Sequence, residues 1–342
     1  MRAPEDGGLP VGEPAQARRP TLAAVARRAG VSTATASRVL NRSAGVSGQV
    51  LIKVERAVRE LGYVRQRAPS AQRGSGAVCV VVFDDMVHYQ ADSFYGRLLV
   101  GAERAVVRGG RELVVLTALR RSQRASLLRF LCGGHVDGVV MVGMREDDGP
   151  ARLVRAAGVP VSCVGRPPTA ADLPYVDADN RGGAVAAVRH LVAAGRTAPA
   201  TIAGPKDMIV ATDRLAGFQQ AMADNGFAAR ETVFRGDFTA ASGEHAMLRL
   251  LERSPDTDAV FVASDLMALG ALRALRRRGI RVPEDIAVVG FDDDALARRT
   301  APPLTTVRQP VEEMGALAVA GLLTGETGAR IVPTTLVVRE SA

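Results

Sequence analysis

The sequence predicts an α/β protein in which a small three-helix head precedes two doubly wound parallel-sheet lobes. Three observations carry that expectation. The chain has 342 residues, 47% of them hydrophobic, enough to bury a large core in two or three folding units. Its excess positive charge lies at the front. Residues 1–75 hold 13 Arg and Lys against 5 Asp and Glu, residues 76–342 hold 31 of each sign, and the net charge is +8. Beyond residue 76, β-branched runs alternate with helical stretches of about 10–15 residues, as in parallel sheets covered on both faces.

Residues 1–19 are rich in Pro, Gly and Ala with almost no large apolar side chains, and are expected to form a disordered leader. They contain no apolar core of a secretory signal, and no later run of about 18 uncharged apolar residues suggests a membrane span. A cytoplasmic protein with no membrane partner is expected. Cys79, Cys132 and Cys163 lie far apart in or beside apolar stretches, without metal-ligand spacing, and read as reduced thiols.

Residues 20–63 should form the head. Thr21 can cap a helix whose apolar face is Leu22, Val25, Ala26 and Ala29, and Gly30 supplies the turn. Ser32 caps a second helix with Ala36, Val39 and Leu40 inward, and a third runs from Ser47 through Val50, Val54, Val58 and Leu61 to Gly62. A basic three-helix unit on a charge-balanced body is the electrostatic footprint of a nucleic-acid-binding head, the alternative being a solvated basic arm. In a helix-turn-helix the start of the second helix meets base edges. Thr33 and Ala34 are short enough to hydrogen-bond or to pack on a thymine methyl, and Arg38 could engage a guanine with two hydrogen bonds. Ser32, Thr35, Ser37 and Asn41 are open to two readings, local capping or phosphate contact. Thr21, Tyr63 and Gln72 complete the residues expected at DNA. Residues 64–76 (VRQRAPSAQRGSG) are polar, basic and interrupted by Pro69, which reads as a hinge or linker.

Residues 77–342 carry the strand-helix alternation. The strands are AVCVVVFD, ELVVLTA, DGVVMVG, VPVSCVG, TIAG, AVFVAS and IAVVGFD, with helices near 93–109, near 122–132, from Asp213, and from Asp265 to Gly279. One lobe is expected at about 77–178 with 308–330, the other at about 179–307 with 331–342. Ligands of open α/β sheets bind beyond the carboxyl ends of strands, where this chain carries Asp84, Gly165-Arg166, Ser264-Asp265 and Asp292-Asp293. Facing lobes would place these loops around a cleft. Arg214 at the start of its helix and Asp292 at the end of its strand would suit vicinal hydroxyls. Asp265 reads as a helix N-cap rather than a ligand contact. Adjacent Asp292 and Asp293 should point apart, which argues against paired acid/base chemistry. GxGxxG, Walker and GxSxG motifs are lacking, and the four histidines form no cluster in sequence, so no enzyme, cofactor or metal is expected.

These residues resemble the lactose-repressor (LacI/GalR) family over nearly the whole chain from Thr21. The head TLAAVARRAGVSTATASRVLN and the body segments VDADNRGG, DRLAGF, GDFTAASG, ASDLMALGAL, VPEDIAVVGFDD and PPLTTVRQP are each similar to a family block, in the family's order. The resemblance implies a helix-turn-helix head on a periplasmic-binding-protein-like body, acting as a repressor-type transcriptional regulator of double-stranded operator DNA. It implies base reading by Thr33, Ala34 and Arg38. In the body it implies effector contacts from Arg214, Asp292 and Phe238, with Tyr95, Arg166 and Ser264 completing the expected effector set. Ser264 and Gly165 stand where many relatives have asparagine and aspartate, which suggests a roomier cavity suited to a disaccharide. GPKDM and VGRP look similar to oligosaccharide-responsive members, favouring a carbohydrate effector over a purine. A homodimer is expected, since PTTLVVRESA contains no heptads for a tetramerising coiled coil. The resemblance breaks at the hinge, where the family's minor-groove leucine is replaced by Gln72. The competing reading is a sugar-binding protein with no role at DNA.

Overall fold

The structure, a computed structural model, describes residues 21–40, 48–61, 75–84, 86–118, 123–145, 149–169, 172–227 and 232–342. The chain divides into two units, Met1–Ala68 and Pro69–Ala342.

The first unit contains α1 (Leu22–Ala29), α2 (Thr33–Leu40) and α3 (Gly48–Leu61). Each turn is made by local chemistry. Thr21 Oγ1 accepts the Ala24 N–H at 3.2 Å and opens α1. Gly30, at φ 67°, closes it by returning its N–H to Ala26 and Arg27, a conformation that favours glycine. Ser32 Oγ then accepts the Thr35 N–H at 3.0 Å at the start of α2. Val25, Ala26, Ala29, Ala36, Val39, Val54 and Ala57 form a small buried core between the three helices. The expected ends of α3, Ser47 and Gly62, lie outside the described residues.

The second unit begins with β1 (Ala77–Val82), α4 (Met86–Ala91), α5 (Ser93–Arg108), β2 (Glu112–Thr117), α6 (Arg124–Leu131), β3 (Gly138–Val142), α7 (Gly149–Ala156), β4 (Val161–Val164) and β5 (Tyr175–Ala178). It continues through α8 (Asn180–Ala193), β6 (Pro199–Ala203), α9 (Ile209–Asp224), β7 (Val233–Arg235), α10 (Ala240–Arg253), β8 (Ala259–Val262), α11 (Asp265–Arg277) and β9 (Ala287–Asp292). A short 3-10 turn, β10 (Thr305–Arg308), α12 (Val311–Thr324), β11 (Ala329–Val332) and β12 (Thr335–Val337) follow.

Two six-stranded sheets result, ordered β11-β5-β4-β3-β1-β2 and β12-β10-β9-β8-β6-β7. Every pairing is parallel except β10 with β12. The valine-rich runs are continuous because both faces are covered. Val78, Val80 and Val82 face one cluster of the first sheet while Cys79 and Val81 face the other, and the second sheet is covered in the same way. The chain crosses between lobes three times: from β5 to α8, from β10 to α12, and from β11 to β12. α12 returns to pack against α5 on the first sheet. There Gly101 comes so close to the partner backbone that a Cβ would lie 1.8 Å from the Glu312 carbonyl oxygen.

Two local expectations are corrected. The helix expected from Asp213 begins at Ile209, so Arg214 sits in its second turn. The Asp213 carboxylate is bonded to Arg166, and the Thr212 hydroxyl donates to the Ile209 carbonyl within the first turn. At α11 the N-cap is Ser264, whose Oγ accepts the Met267 N–H at 3.2 Å. Asp265 is the first helical residue and is fully buried, its carboxylate accepting from Thr306 Oγ1 at 2.6 Å and from Asp294 N at 2.9 Å. Cys79, Cys132 and Cys163 are free, and burial pushes the Cys79 thiol up to about 12. Among the described residues, no helix is long and apolar enough to cross a membrane.

Candidate functional site

On the head, Thr33, Ala34 and Arg38 are exposed on α2, with Ala34 and Arg38 one turn apart on a single face. Ser32 and Thr35 are engaged with each other, their hydroxyls 2.8 Å apart, in addition to the cap bond. This capping geometry accounts for both residues locally. Ser37 is half-buried, and Thr21 is exposed with its hydroxyl oxygen accepting at α1. Asn41, Tyr63 and Gln72 lie outside the described residues. Arg28 pairs with Glu60 on α3 at 2.6 Å.

In the body, the carboxyl ends of the parallel strands in the two lobes meet around a cavity of about 800 Å³, counting its opening to solvent. All six expected body residues line it: Tyr95, Arg166, Arg214, Phe238, Ser264 and Asp292.

Arg214 is the anchor of the second lobe. Its guanidinium lies 3.8 Å from the centroid of the Phe291 ring, donates to Asn180 Oδ1 at 2.9 Å and to the Ala263 carbonyl at 2.6 Å, and sits 3.4 Å from Asp292 Oδ1. Burial lowers its affinity for the proton, and the carboxylates around it oppose that effect. Asp292 also accepts from Gln309 Nε2 at 2.6 Å. Burial pushes the Asp292 carboxyl up to about 7, although the Arg214 charge pulls it down. Asp292 has φ 121° and Asp293 φ 49°, both in the left-handed region that side chains avoid, so strain is held where the strand ends. The turn sends the two neighbours apart. Asp293 goes to Arg308 at 2.6 Å and to Arg339, which hold its carboxyl below the usual range against the opposing effect of burial.

Phe238 is buried, with φ 70°, and its ring lies over Gly204, where an added Cβ would be 2.4 Å from Cζ. Phe238 belongs to the core cluster of the second lobe and also borders the cavity. Ser264 Oγ accepts at the helix cap, which leaves its hydroxyl hydrogen able to donate.

The first lobe supplies aromatic walls. Tyr95 is buried and donates its hydroxyl to Asp84 Oδ2 at 2.7 Å, and burial raises the phenol well above its ordinary value. Tyr89 stacks on Tyr95 at 5.7 Å and Phe94 meets it edge-on at 5.5 Å. His88 Nδ1 lies 2.7 Å from the same Asp84 oxygen. Arg166 reaches the cavity but spends its guanidinium across the cleft, with both Asp213 carboxylate oxygens 2.7 Å away. Arg145 does the same to Asp207 in the loop before α9, at 3.0 Å to each oxygen.

Several lining or supporting residues were absent from the sequence-based set. Asp177, at the end of β5, accepts from the Arg166 and Ala178 N–H groups and from Asn180, and burial pushes its carboxyl up to about 6. Gln309 follows β10 in the same way. Arg97 clamps Glu312 with two bonds of 2.8 and 3.0 Å and donates to the Asp292 carbonyl at 3.1 Å, fixing the segment that carries the strained aspartate. Asp92 lines the first-lobe wall. The strand-end rule applied to YVDA and TTVRQ would have found Asp177 and Gln309.

Residues 21–66 match the family described as "Bacterial regulatory proteins, lacI family", and residues 188–342 match the "Periplasmic binding protein-like domain". The HTH-type transcriptional regulator CelR of Thermobifida fusca is 43% identical over 335 residues, covering 95% of this chain and 98% of the relative. The chain belongs to the lacI family of bacterial regulatory proteins. This LacI-family chain is also 33% identical to the repressor CytR of Escherichia coli K12, over 94% of this chain and 96% of that protein. Its fold is similar to a structure described as a transcriptional regulator CelR-cellobiose complex (TM-score 0.77, 42% identity, 95% of this chain and 100% of that one). It is similar also to a lac repressor dimer bound to operator and the anti-inducer ONPF (TM-score 0.71, 31% identity, 95% and 99%). As a LacI-family protein the chain is a sequence-specific DNA-binding transcriptional regulator with an effector-binding body.

Proposed function

We propose that this regulator is a cytoplasmic homodimeric repressor that reads operator DNA through Thr33, Ala34 and Arg38 and is controlled by a neutral carbohydrate bound in the interlobe cavity. One observation carries the reading. Arg214, Asp292, Ser264 and Phe238 from the second lobe share one cavity with Tyr95 and Arg166 from the first. Fixed donors and acceptors beside apolar ring faces are what a pyranose needs: directional bonds to vicinal hydroxyls and a flat surface under the ring. The bound cellobiose named for the CelR structure supports a gluco-oligosaccharide as the effector class, and the lac repressor dimer supports two heads on one operator. Effector changes operator affinity only by binding two conformations unequally, typically about 1–3 kcal/mol of coupling. Gel shifts of the full chain with its own promoter DNA, run with and without glucose, cellobiose and cellotriose, test this. Retention that one of these sugars alters is expected, and no retention at moderate salt under any condition would overturn it.

A further inference from the structure

We propose that Asp92 is a specificity-determining residue of the effector cavity, accepting a hydroxyl hydrogen from the ligand and, with the other lining carboxylates, admitting uncharged polyhydroxyl compounds while turning away their phosphate esters. The inference rests on the carbohydrate reading above and sharpens it. Three carboxylates line the cavity, Asp92, Asp177 and Asp292, against two guanidinium groups, Arg166 and Arg214. Both cations are matched. Arg166 is held by both oxygens of Asp213, and Arg214 faces Asp292 at 3.4 Å beside its ring and carbonyl contacts. A phosphate entering here would be desolvated beside surplus negative charge, with its neutralising partners already taken, which is costly. A sugar hydroxyl, by contrast, donates to a carboxylate and gains a charge-assisted bond.

Asp92 differs from the other two acids in accepting a single hydrogen bond from the described residues. Asp177 is satisfied by the Arg166 and Ala178 N–H groups and the Asn180 amide, and Asp292 Oδ1 by Gln309 and Arg214. Asp92 caps α5 by accepting the Phe94 N–H on Oδ1 at 2.9 Å, and none of the described residues donates to its Oδ2. It comes from the first lobe and Asp292 from the second, and its charge acts on the Asp292 carboxyl. Burial raises the Asp92 carboxyl above its ordinary value, consistent with an acceptor waiting for a donor.

The test is calorimetry of the full-length protein at pH 8 against glucose, cellobiose and cellotriose and against the 6-phosphate esters of the first two. The wild type should bind at least one neutral sugar and bind its ester at least tenfold more weakly. Asp92→Asn keeps the cap, since asparagine accepts at an N-terminus as well as aspartate does, and its thermal midpoint checks that the fold is retained. It should lose roughly tenfold to a hundredfold in neutral-sugar affinity, the value of a hydrogen bond to a charged group, and narrow the gap to the ester. Asp92→Glu should restore the discrimination in part, which a purely structural role would not predict. If the wild type binds a neutral sugar but Asp92→Asn keeps both its affinity and its discrimination, the assignment to Asp92 is overturned while the carbohydrate reading stands. If the wild type binds esters as tightly as the sugars, charge exclusion is overturned. If it binds none of the probes, the carbohydrate reading falls and this assignment with it.

Discussion

Arg166 of the first lobe holds both carboxylate oxygens of Asp213 on α9 of the second, each 2.7 Å from its terminal nitrogen. With Arg145 and Asp207 this forms two ion pairs across the cleft, all four side chains partly exposed. Exposed pairs are weak, about 0.2–1 kcal/mol each, and are screened by salt. Arg166→Ala should therefore speed effector release only a few-fold, and raising salt should mimic it in the wild type but not in an Arg145→Ala/Arg166→Ala variant. Stopped-flow displacement at low and high salt measures this, and equal salt dependence in both proteins would remove the ion pairs from the closing mechanism.

Arg214 is of another order because it is buried. Arg214→Ala leaves Asp292 without its cation and should cost about 3–5 kcal/mol of stability, as well as the response to effector. Arg214→Lys should keep more of the stability and still lose the response, because a lysine cannot reproduce the guanidinium's bonds to Asn180 and Ala263 and its contact with Phe291. Thermal denaturation and gel shifts with sugar separate the two effects.

On the head, Arg38→Ala should lower operator affinity by about 1–3 kcal/mol and relax one base position, if Arg38 reads a guanine. Binding to a library of operator variants would expose that position. A uniform loss across all sequences would instead make Arg38 a phosphate contact.

The Asp292 carboxyl, at about 7, gives a pH dependence of definite sign. A ligand whose hydroxyls donate to the ionised form stabilises that form, so effector affinity should rise as pH rises through about 7 and level off above. Stability of the unliganded protein runs the other way. The folded carboxyl keeps its proton above the unfolded value of about 4, so this group's contribution is full below about pH 4 and is lost as pH rises through about 7. Calorimetry and melting curves from pH 5 to 8.5 test both slopes, and Asp292→Asn should flatten each of them.

Gly101→Ala probes the α5–α12 contact. Its Cβ would meet the Glu312 carbonyl at 1.8 Å, backbone that cannot swing aside, so a loss of at least about 1–3 kcal/mol is expected. Since Glu312 is clamped by Arg97, effector binding should weaken as well.

The parts legible in the sequence were those governed by local or periodic rules. Valine-rich runs announced strands covered on both faces, and the strand-end rule led to Arg166, Ser264 and Asp292. Thr21, Gly30 and Ser32 marked the turns of the head, and each does what its chemistry suggested. Where reading failed, a distant partner had decided between two local options. Ser264 and Asp265 can both cap a helix, and the choice was made by Thr306, 41 residues away, which takes the Asp265 carboxylate. Asp213 was read as a helix start because its bond to Arg166, 47 residues back, is invisible to a local pattern. α4, six residues long with none buried, had no periodicity by which to place His88.

The three crossings between lobes have a consequence for synthesis. β11 of the first sheet pairs with β5, made some 150 residues earlier, and Ser341 joins the second sheet through Val288 and Thr305. Neither lobe is a continuous stretch of chain, so during synthesis the first sheet keeps an open edge at β5 until β11 emerges and the second an open edge at β10 until β12 emerges. Proteolytic fragments cut anywhere between β5 and β11 would separate partners of the first sheet, and a nascent chain stalled before β11 would present β5, paired with β4 on one side only, as an open edge.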